Sequence, residues 1–335
     1  MSDMNSTERL ILHFKNNRAG EDVFRFTDER ISTAIERHKD ISDRIEIRVD
    51  WDLDNFEKSM RDADALVTWD LPTENLAERA PALRWIHIIG AGVEHLCPLT
   101  WLPERTVLTN NRGIHAEKTA ESAAMAVLML HNRIPAYVTD QRAARWNPVF
   151  VPPVSGKTVA VIGVGEMGGA AARSFKALGL RVLGIRRGGV PHPAVDRMYA
   201  PEGLHRVLAE ADFVHITLPH TPETRGLIDK AAIRAMKAGA GLINFGRALV
   251  LDHAALAEAL RDGHLGGAFL DVHDREPLPG DSPLWDVPNL ILTPHVTSDD
   301  DTSYTPATLD LVMENCRRLL KREDLKNIVN PTLGY

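Results

Sequence analysis

The segment from Val159 to Gly168 reads VAVIGVGEMG and places the pattern G-x-G-x-x-G between an apolar run and an alanine-rich stretch. An apolar run that ends in glycine predicts a buried strand, and the stretch after it predicts a helix. Gly163 permits a tight turn, Gly165 lets a pyrophosphate approach the backbone, and Gly168 lets the helix pack closely on the strand. The segment therefore predicts a dinucleotide-binding strand–turn–helix unit, although an ordinary junction without a ligand has a similar pattern.

Short apolar runs alternate with helix-like segments over most of the 335 residues, and this length corresponds to about two domains. Such alternation is typical of parallel α/β sheets. We predict the fold class as α/β, with two Rossmann-like doubly wound domains and a cleft between them. Residues 1–114 with 303–335 are predicted to form a flavodoxin-like substrate domain. Residues 115–302 are predicted to form the dinucleotide-binding Rossmann domain.

Three further expectations concern the segments near the domain boundaries. A long helix is predicted over residues 117–134, ending near Pro135 because a proline interrupts a helix interior. The prolines at 148, 152 and 153 then indicate a linker. An amphipathic helix over residues 308–321 is expected to pack back on the first domain.

Composition excludes several classes of function. With 39 basic and 46 acidic residues the formal charge is −7, so the basic surplus typical of nucleic-acid binding is missing. No run approaches the ~20 apolar residues of a membrane span, and the N-terminal residues do not resemble a signal peptide. Cys97 and Cys316 are too few for a disulfide framework, and no clustered ligands predict a metal site. We therefore expect a cytoplasmic protein without nucleic-acid, membrane or metal partners.

Arg186 and Arg187 follow the strand predicted after the glycine-rich loop. An NAD site usually has a carboxylate here to bind the ribose 2′-hydroxyl. A 2′-phosphate carries about two negative charges and is suited to guanidinium groups. The pair predicts NADP(H) as the preferred cofactor, with NAD(H) as the alternative. Two solvated arginines on a loop are the other interpretation.

Six ordered segments together resemble the D-isomer-specific 2-hydroxyacid dehydrogenases, especially their glyoxylate/hydroxypyruvate reductase branch. The resemblance covers nearly the whole chain and rests on the order and spacing of the segments. They are GAGVEHL at 90–96, VIGVGEMGG at 161–169, LPHTPETRGLI at 218–228, NFGRALVLD at 244–252, FLDVHDREPLP at 269–279 and LILTPHVTS at 290–298.

The resemblance implies reduction of small 2-keto acids to D-2-hydroxy acids by hydride transfer from NADP(H). It implies that Arg247 binds the substrate carboxylate and polarises the carbonyl. It implies that His295 donates the proton, a role suited to a side chain whose pKa lies near operating pH. Glu276 would hold the imidazole charged and oriented. Without the resemblance, Arg247 and Glu276 could each be an ordinary exposed side chain on a loop.

The same resemblance supplies further contacts. The residues expected to bind the substrate are Arg247, His295, Trp69 and the loop of Ala91, Gly92 and Val93. Trp69 is equally compatible with a packing role. The loop is also compatible with a plain glycine turn. Asp271 is expected to bond the nicotinamide carboxamide, and Leu218 and Pro219 to border the adenine. The cofactor-binding residues are expected to be Gly163, Gly165, Glu166, Met167, Gly168, Arg186, Arg187, Leu218, Pro219, Thr224, Phe245, Gly246, Arg247, Asp271 and His295.

Two positions depart from the common pattern of the family. Ala248 stands where a glycine often follows the arginine, and His273 stands where an aromatic residue is common. We expect a packing role for His273, and a proton-relay role stays open. Glu276 argues against formate dehydrogenases, which resemble this family but carry glutamine there.

Two expectations concern partners. The apolar helix from Glu117 and the loop from Gln141 to Trp146 predict a homodimer interface, as the resemblance also implies. The alternative to an enzyme is an NAD(P)H-sensing binding protein similar to the transcriptional corepressors of this fold. The absence of a long disordered tail or basic arm argues against it.

Overall fold

In the computed structural model, the described residues 9–334 form two compact units. The first unit contains the described residues up to His115 together with those from Asp300 onward, and the second unit is Ala116–Asp299. These boundaries lie one and three residues from the predicted ones. Each unit is built on its own parallel sheet, so the predicted α/β class is confirmed.

The first unit contains a five-stranded parallel sheet in the order β2-β1-β3-β4-β5, which is the order found in flavodoxin. The apolar runs at 11–14, 45–49, 65–68 and 85–89 predict four of these strands, and β5 is an additional short strand that was not predicted. The strands and α-helices of the first unit up to His115, in chain order, are β1 Leu10–Asn16, α1 Asp28–Arg37, α2 Lys39–Ser42, β2 Ile45–Trp51, α3 Phe56–Ser59, β3 Ala65–Thr68, α4 Leu76–Arg79, β4 Trp85–Ile88 and β5 Val107–Asn110.

The second unit contains a seven-stranded parallel sheet in the order β12-β11-β10-β9-β6-β7-β8. Counted from β6, this is the Rossmann order with one strand added beyond the sixth. Its elements are α5 Ala116–His131, α6 Ile134–Arg142, β6 Thr158–Ile162, α7 Glu166–Ala177, β7 Arg181–Ile185, β8 Arg197–Tyr199, α8 Leu204–Glu210, β9 Phe213–Ile216, α9 Lys230–Ala235, β10 Gly241–Asn244, α10 His253–Arg261, β11 Gly267–Leu270 and β12 Leu290–Leu292.

Apolar side chains cover both faces of the seven-stranded sheet. On one face α5 and α7 pack against β6 and β7, and on the other α8, α9 and α10 form a second cluster. Both faces of a parallel strand are buried in such a fold, which explains why every residue of β6, β9, β10 and β11 is buried.

The structure corrects the prediction around Pro135. The long helix ends at His131, and a second helix, α6, begins at Ile134 with the proline in its first turn. A proline is well suited to this position because the first N–H groups of a helix have no intrahelical acceptor. The residue therefore begins a second helix, which was not predicted and whose last two residues, Gln141 and Arg142, lie in the segment predicted as a loop.

The last helix, α11 (Tyr304–Lys321), completes the first unit. It begins four residues before the predicted start. Leu309, Val312, Met313 and Cys316 are buried in the cluster that contains β1 and α1. The helix thus belongs to the core of the first unit, as expected from its amphipathic pattern.

Three observations concern special groups in the described part of the chain. Cys316 is buried and Cys97 is exposed, and neither forms a disulfide. No helix within residues 9–334 is both long and apolar enough to cross a bilayer. In the same range, no three histidine, cysteine or acidic side chains are grouped as metal ligands.

Candidate active site

The glycine-rich loop joins β6 to α7 in the manner that its sequence predicted. Gly163 has a φ of 105°, a conformation that glycine adopts without strain. A Cβ atom on Gly168 would lie 2.2 Å from the Gly163 carbonyl oxygen, so only glycine allows this approach of helix and strand. A Cβ atom on Gly165 would meet nothing within 4 Å, because this glycine faces open space.

The start of α7 is suited to a phosphate group. Gly165 is its N-cap residue, and the exposed Glu166 and half-buried Met167 are its first residues. The first N–H groups of a helix lack intrahelical acceptors and carry partial positive charge. The open face at Gly165 and these donors fit the pyrophosphate of a dinucleotide. Glu166 adds a negative charge that such a ligand must avoid.

Further predicted cofactor residues lie at the carboxyl ends of the neighbouring strands. Leu218 and Pro219 follow β9 and are half-buried. The Thr224 hydroxyl donates to the Pro219 carbonyl over 2.7 Å and closes this loop. A Cβ atom on Gly246 would lie 2.7 Å from the Leu218 carbonyl oxygen, so the two loops contact closely through their backbones.

Phe245 has a different environment from the one expected. Its ring is buried in the core, and it makes edge contacts with the rings of Phe269 and His215. A ring in this position supports the sheet and is not available to a ligand. Only the backbone of Phe245 remains suitable for a cofactor contact.

Arg186 and Arg187 are both exposed directly after β7, at the position where an NAD site carries its acid. The charges of Arg173 and Arg186 lie close enough to His192 to contribute, after its burial, to the lowered pKa of that imidazole. His192 contacts Gly169, where a Cβ atom would lie 2.7 Å from its Nε2. No motif in the sequence marks His192, because only the folded loop brings it to α7.

The predicted catalytic residues follow three adjacent strands of the second unit. Arg247 follows β10, Glu276 follows β11 and His295 follows β12. The carboxyl ends of parallel strands lie at one edge of a sheet, which is where ligands bind in such folds. The Arg247 guanidinium is half-buried and donates to the carbonyl of Gly246 over 2.9 Å.

Glu276 and His295 form a direct ion pair. The Nδ1 atom of His295 donates to Oε2 of Glu276 over 2.8 Å. This bond is the main reason that the pKa of His295 is raised, and the nearby charge of Arg247 acts in the opposite direction. Burial acts to raise the pKa of Glu276, but the bonds from His295 and from the His273 backbone leave it lowered. The pair therefore favours imidazolium and carboxylate.

His295 has a φ of 55°, which is the left-handed region that few residues other than glycine adopt. Asp271 stabilises this turn by accepting hydrogen bonds from its residues. Its buried carboxylate accepts from the hydroxyls of Thr293 (2.6 Å) and Thr297 (2.7 Å) and from the backbone N–H groups of Val296 and Thr297. Four donor groups thus occupy the carboxylate that was expected to bond the nicotinamide, and they indicate a role in holding the His295 turn.

The loop at residues 90–93 of the first unit has an unusual arrangement of backbone groups. The Gly90 carbonyl accepts from the Asn111 N–H (3.0 Å) and the Ala91 carbonyl from the Asn110 amide (2.7 Å). Within residues 9–334, however, the N–H groups of Ala91, Gly92 and Val93 donate no hydrogen bond. Successive unbonded N–H groups are typical of an anion-binding loop. The Val93 side chain itself is buried in the core.

Trp69 lies against this loop. Its side chain is 43% exposed, and an added Cβ atom on Gly90 would lie 2.3 Å from its ring. His95 stacks on the indole with ring centroids 4.2 Å apart and donates from Nε2 to the Trp69 carbonyl over 2.8 Å. The sequence analysis named Trp69 but not His95, whose contact depends on the turn between them.

The groups at the strand ends of the second unit are suited to proton transfer beside a bound dinucleotide. The second unit supplies a proton donor whose charge is stabilised by a carboxylate, and a guanidinium in the same strand-end region. It also supplies an open glycine loop at a helix start. Proton donation beside a dinucleotide is what reduction of a carbonyl group requires.

Comparison with known proteins agrees with this chemistry. A family model described as D-isomer specific 2-hydroxyacid dehydrogenase, NAD binding domain, matches residues 124–297, more than half of the chain. A glyoxylate reductase from Korarchaeum cryptofilum is 32% identical over 282 residues, 81% of this chain and 84% of that protein. A D-3-phosphoglycerate dehydrogenase from Mycobacterium bovis is 31% identical over 87% of this chain, which spans only 56% of that longer protein.

Solved structures show the same relationship. A dehydrogenase of this family from Xanthobacter autotrophicus Py2, in complex with NADPH and MES, has a TM-score of 0.81 and 28% identity over 98% of this chain and all of the other. An NADPH-dependent glyoxylate/hydroxypyruvate reductase from Sinorhizobium meliloti, in complex with NADP and sulfate, has a TM-score of 0.79 and 29% identity over 97% and 99% of the two chains. The chain therefore belongs to the D-isomer-specific 2-hydroxyacid dehydrogenases and is a nicotinamide-dependent oxidoreductase of that family.

Proposed function

We propose that the protein reduces small 2-keto acids of the glyoxylate and hydroxypyruvate type to D-2-hydroxy acids, with NADPH as the preferred reductant. The observation that carries this proposal is the 2.8 Å ion pair between Glu276 and His295 at the strand ends that also hold Arg247. Relatives that bear the name glyoxylate reductase support this substrate class.

The reduced nicotinamide supplies the hydride for C2 of the keto acid when it is bound. His295 provides the proton for the carbonyl oxygen, and Glu276 keeps the imidazole protonated until then. The side chain of His295 is 46% exposed, so it is accessible to a substrate. In the reverse direction neutral His295 accepts the proton from the hydroxyl group, and Glu276 stabilises the charge that forms.

The substrate carboxylate needs positive partners. We propose that Arg247 binds it through its planar guanidinium, which also stabilises charge on the carbonyl oxygen. In the first unit, the unbonded N–H groups of Ala91, Gly92 and Val93 are proposed as donors to a carboxylate.

Trp69 is proposed to limit the size of the substrate. The stacking of His95 and the bond to the Trp69 carbonyl restrict the indole to one position beside the 90–93 loop. A fixed indole at this loop favours substrates with a small substituent on C2 over those with an aromatic one.

The preference for NADPH is proposed from Arg186 and Arg187. Both guanidinium groups are exposed where an NAD-specific site has a carboxylate, and the charges of Arg186 and Arg173 both act on the imidazole of His192. The NADP-bound relatives from Xanthobacter and Sinorhizobium support the same preference.

The experiment that tests the proposed function is a panel of 2-keto acids assayed in parallel with NADPH and NADH. We expect the highest kcat/KM with glyoxylate or hydroxypyruvate and NADPH, and much lower values with phenylpyruvate. D-3-Phosphoglycerate with NADP⁺ or NAD⁺ is included because relatives of that name match the chain. Selective turnover of that substrate would contradict the proposed substrate class.

The same assay separates an enzyme from an NAD(P)H-sensing binding protein. A sensor would bind NADPH tightly and show no turnover with any substrate of the panel. We expect turnover at a rate typical of enzymes, about 1 s⁻¹ or more.

We also propose that the protein is a cytoplasmic homodimer. Trp146 and Phe150 lie in the segment of residues 143–153 after α6 and are 95% and 94% exposed. Large aromatic side chains exposed to this extent in one short segment are typical of a protein interface. A second copy of the chain is the proposed partner.

A further inference from the structure

His273 is bonded to both sides of the catalytic ion pair. Its backbone N–H donates to Oε1 of Glu276 over 2.9 Å, and Nε2 of its ring donates to the carbonyl of Thr293 over 2.9 Å. Thr293 lies two residues before His295. One residue therefore connects the segment after β11, which carries the carboxylate, with the segment after β12, which carries the imidazole.

Among the described residues, the bond to Thr293 is the one hydrogen bond of the His273 ring. The side chain is buried, and Nδ1 has no hydrogen-bond partner among residues 9–334. Because a carbonyl oxygen only accepts, Nε2 carries the proton and Nδ1 is an unpaired acceptor. A phenyl ring would fill similar space without burying an unpaired nitrogen, which is unfavourable. What the imidazole adds is the bond to Thr293.

Thr293, from which the turn at His295 starts, is held in place by hydrogen bonds. Its N–H donates to the Leu270 carbonyl (3.0 Å) and its hydroxyl donates to Asp271 (2.6 Å), while its carbonyl accepts from His273. Pro294 follows and has no N–H to donate. The left-handed backbone of His295 comes next, so its geometry depends on how well Thr293 is held.

We propose that His273 is a positioning residue that holds the His295 turn in register with the Glu276 carboxylate through its ring bond to Thr293. This inference deepens the proposed function and rests on it for the catalytic readout. The residue acts through Thr293 and Glu276 and needs no contact with substrate or cofactor.

The loss of the ring bond has a specific consequence. A looser turn weakens the hydrogen bond from His295 to Glu276, which is the main cause of the raised pKa of His295. The other charged groups acting on that imidazole, Asp271 and Arg247, are unchanged when residue 273 is replaced. The pKa of His295 is therefore expected to fall toward its ordinary value.

The experiment compares His273→Phe with His273→Gln. Phenylalanine keeps a ring and loses the donor, whereas the amide nitrogen of glutamine lies near the position of Nε2 and can still donate to Thr293. For His273→Phe we expect kcat for keto-acid reduction to fall about tenfold or more, with the alkaline limb of the kcat/KM profile moved to lower pH. The Kd for NADPH should stay within about twofold, and His273→Gln should recover most of kcat.

A second measurement works without turnover. The imidazole resonances of His295, assigned by comparison with a His295→Ala protein, are followed by NMR over a pH titration. The pKa of His295 should be lower in His273→Phe than in the wild type and largely restored in His273→Gln. If the wild type reduces no keto acid but this shift is present, the proposed function fails and the positioning role stands.

Three results would overturn the positioning role. One is a His273→Phe enzyme with wild-type kcat and pH profile. Another is equal impairment of the phenylalanine and glutamine variants, which would point to packing alone. The third is an unchanged His295 titration in His273→Phe.

Discussion

The conformation of His295 shows how much of a catalytic geometry is decided by single residues. Its φ of 55° is costly for a residue with a side chain, and the buried Asp271 carboxylate offsets that cost by bonding the groups around it. Glu276 then orients the ring through one hydrogen bond. A strained backbone held by its surroundings is common at functional sites.

Replacing Glu276 with glutamine tests whether this carboxylate keeps His295 protonated. The folded-state pKa of His295 is raised, so the protonated form needed for reduction persists to higher pH than in a free histidine. Without the carboxylate the pKa of His295 falls, so His295 loses its proton at a lower pH. As the pH is raised, the reductase activity should therefore begin to decline earlier than in the wild type. We expect kcat to fall about 10²-fold, and the alkaline limb of kcat/KM for reduction to move toward lower pH. An unchanged limb would remove Glu276 from this role.

The second residue-scale prediction concerns Arg186 and Arg187. Replacing both with alanine removes two charge-assisted donors from an exposed site, where together they contribute about 1.5–3 kcal/mol to the binding of a phosphate. The KM for NADPH should rise about 10- to 100-fold, with little change for NADH.

The matched control for that pair is Arg181→Ala at the opposite end of β7, where the guanidinium pairs with Glu210. This variant should leave both KM values unchanged. Equal losses with NADPH and NADH in the double variant would contradict the proposed phosphate contact.

Sequence analysis reached the residues whose chemistry is visible in a motif, and it missed those that depend on contact. Glu276 and His295 were predicted as a pair and lie in contact. His95 and His192 are two of 14 histidines, and nothing in their own sequence separates them from the others. Their contacts come from loops that bring them to Trp69 and α7. His273 was singled out as a departure from the family pattern, but its bond to Thr293 was not predicted.

At the scale of elements, the β6–loop–α7 unit was predicted almost completely. The apolar run, the three glycines and the alanines each have a local physical reason to adopt one structure. Strands β5 and β8 were not predicted, since they are short and lie at the sheet edges, where pairing with a neighbour defines them. The helix after Pro135 was missed because proline both ends and begins helices.

Two glycine variants test the roles within this unit. Gly168→Ala places a Cβ atom 2.2 Å from the Gly163 carbonyl and 2.7 Å from the Thr217 hydroxyl, so backbone atoms must move. We expect a lower Tm, from overpacking that costs about 1–3 kcal/mol, together with weaker NADPH binding. Gly165→Ala meets no protein atom within 4 Å and should weaken NADPH binding without lowering Tm. The measurements are thermal unfolding and a fluorescence titration with NADPH; equal Tm values for the two variants would refute the assignment.

At the scale of the whole molecule, each unit has its own sheet and core, and the chain returns to the first unit through α11. Local patterns identified the two sheets, but they did not show how exposed the segment after α6 is. Trp146 and Phe150 are almost fully exposed there. The sequence predicted an interface in the segment from Gln141 to Trp146, but it did not single out Phe150, whose exposure the structure shows.

The exposed pair leads to a prediction about assembly. Light scattering at micromolar concentration should give the mass of a dimer for the wild type, and a Trp146→Ala/Phe150→Ala variant should be largely monomeric because the interface loses its aromatic anchors. Leu53→Ala, at an exposed apolar residue of the first unit, is the control and should remain dimeric. A monomeric wild type would exclude the proposed homodimer.

The measurement that tests the central claim most directly is the turnover of His295→Ala with glyoxylate and NADPH, combined with its NADPH affinity. His205→Ala, at an exposed histidine of α8, is the control. The account predicts that His295→Ala loses about 10²–10⁴-fold in kcat while binding NADPH within about twofold of the wild type, and that His205→Ala is unaffected. Near-wild-type kcat in His295→Ala would contradict the assignment of this imidazole as the proton donor.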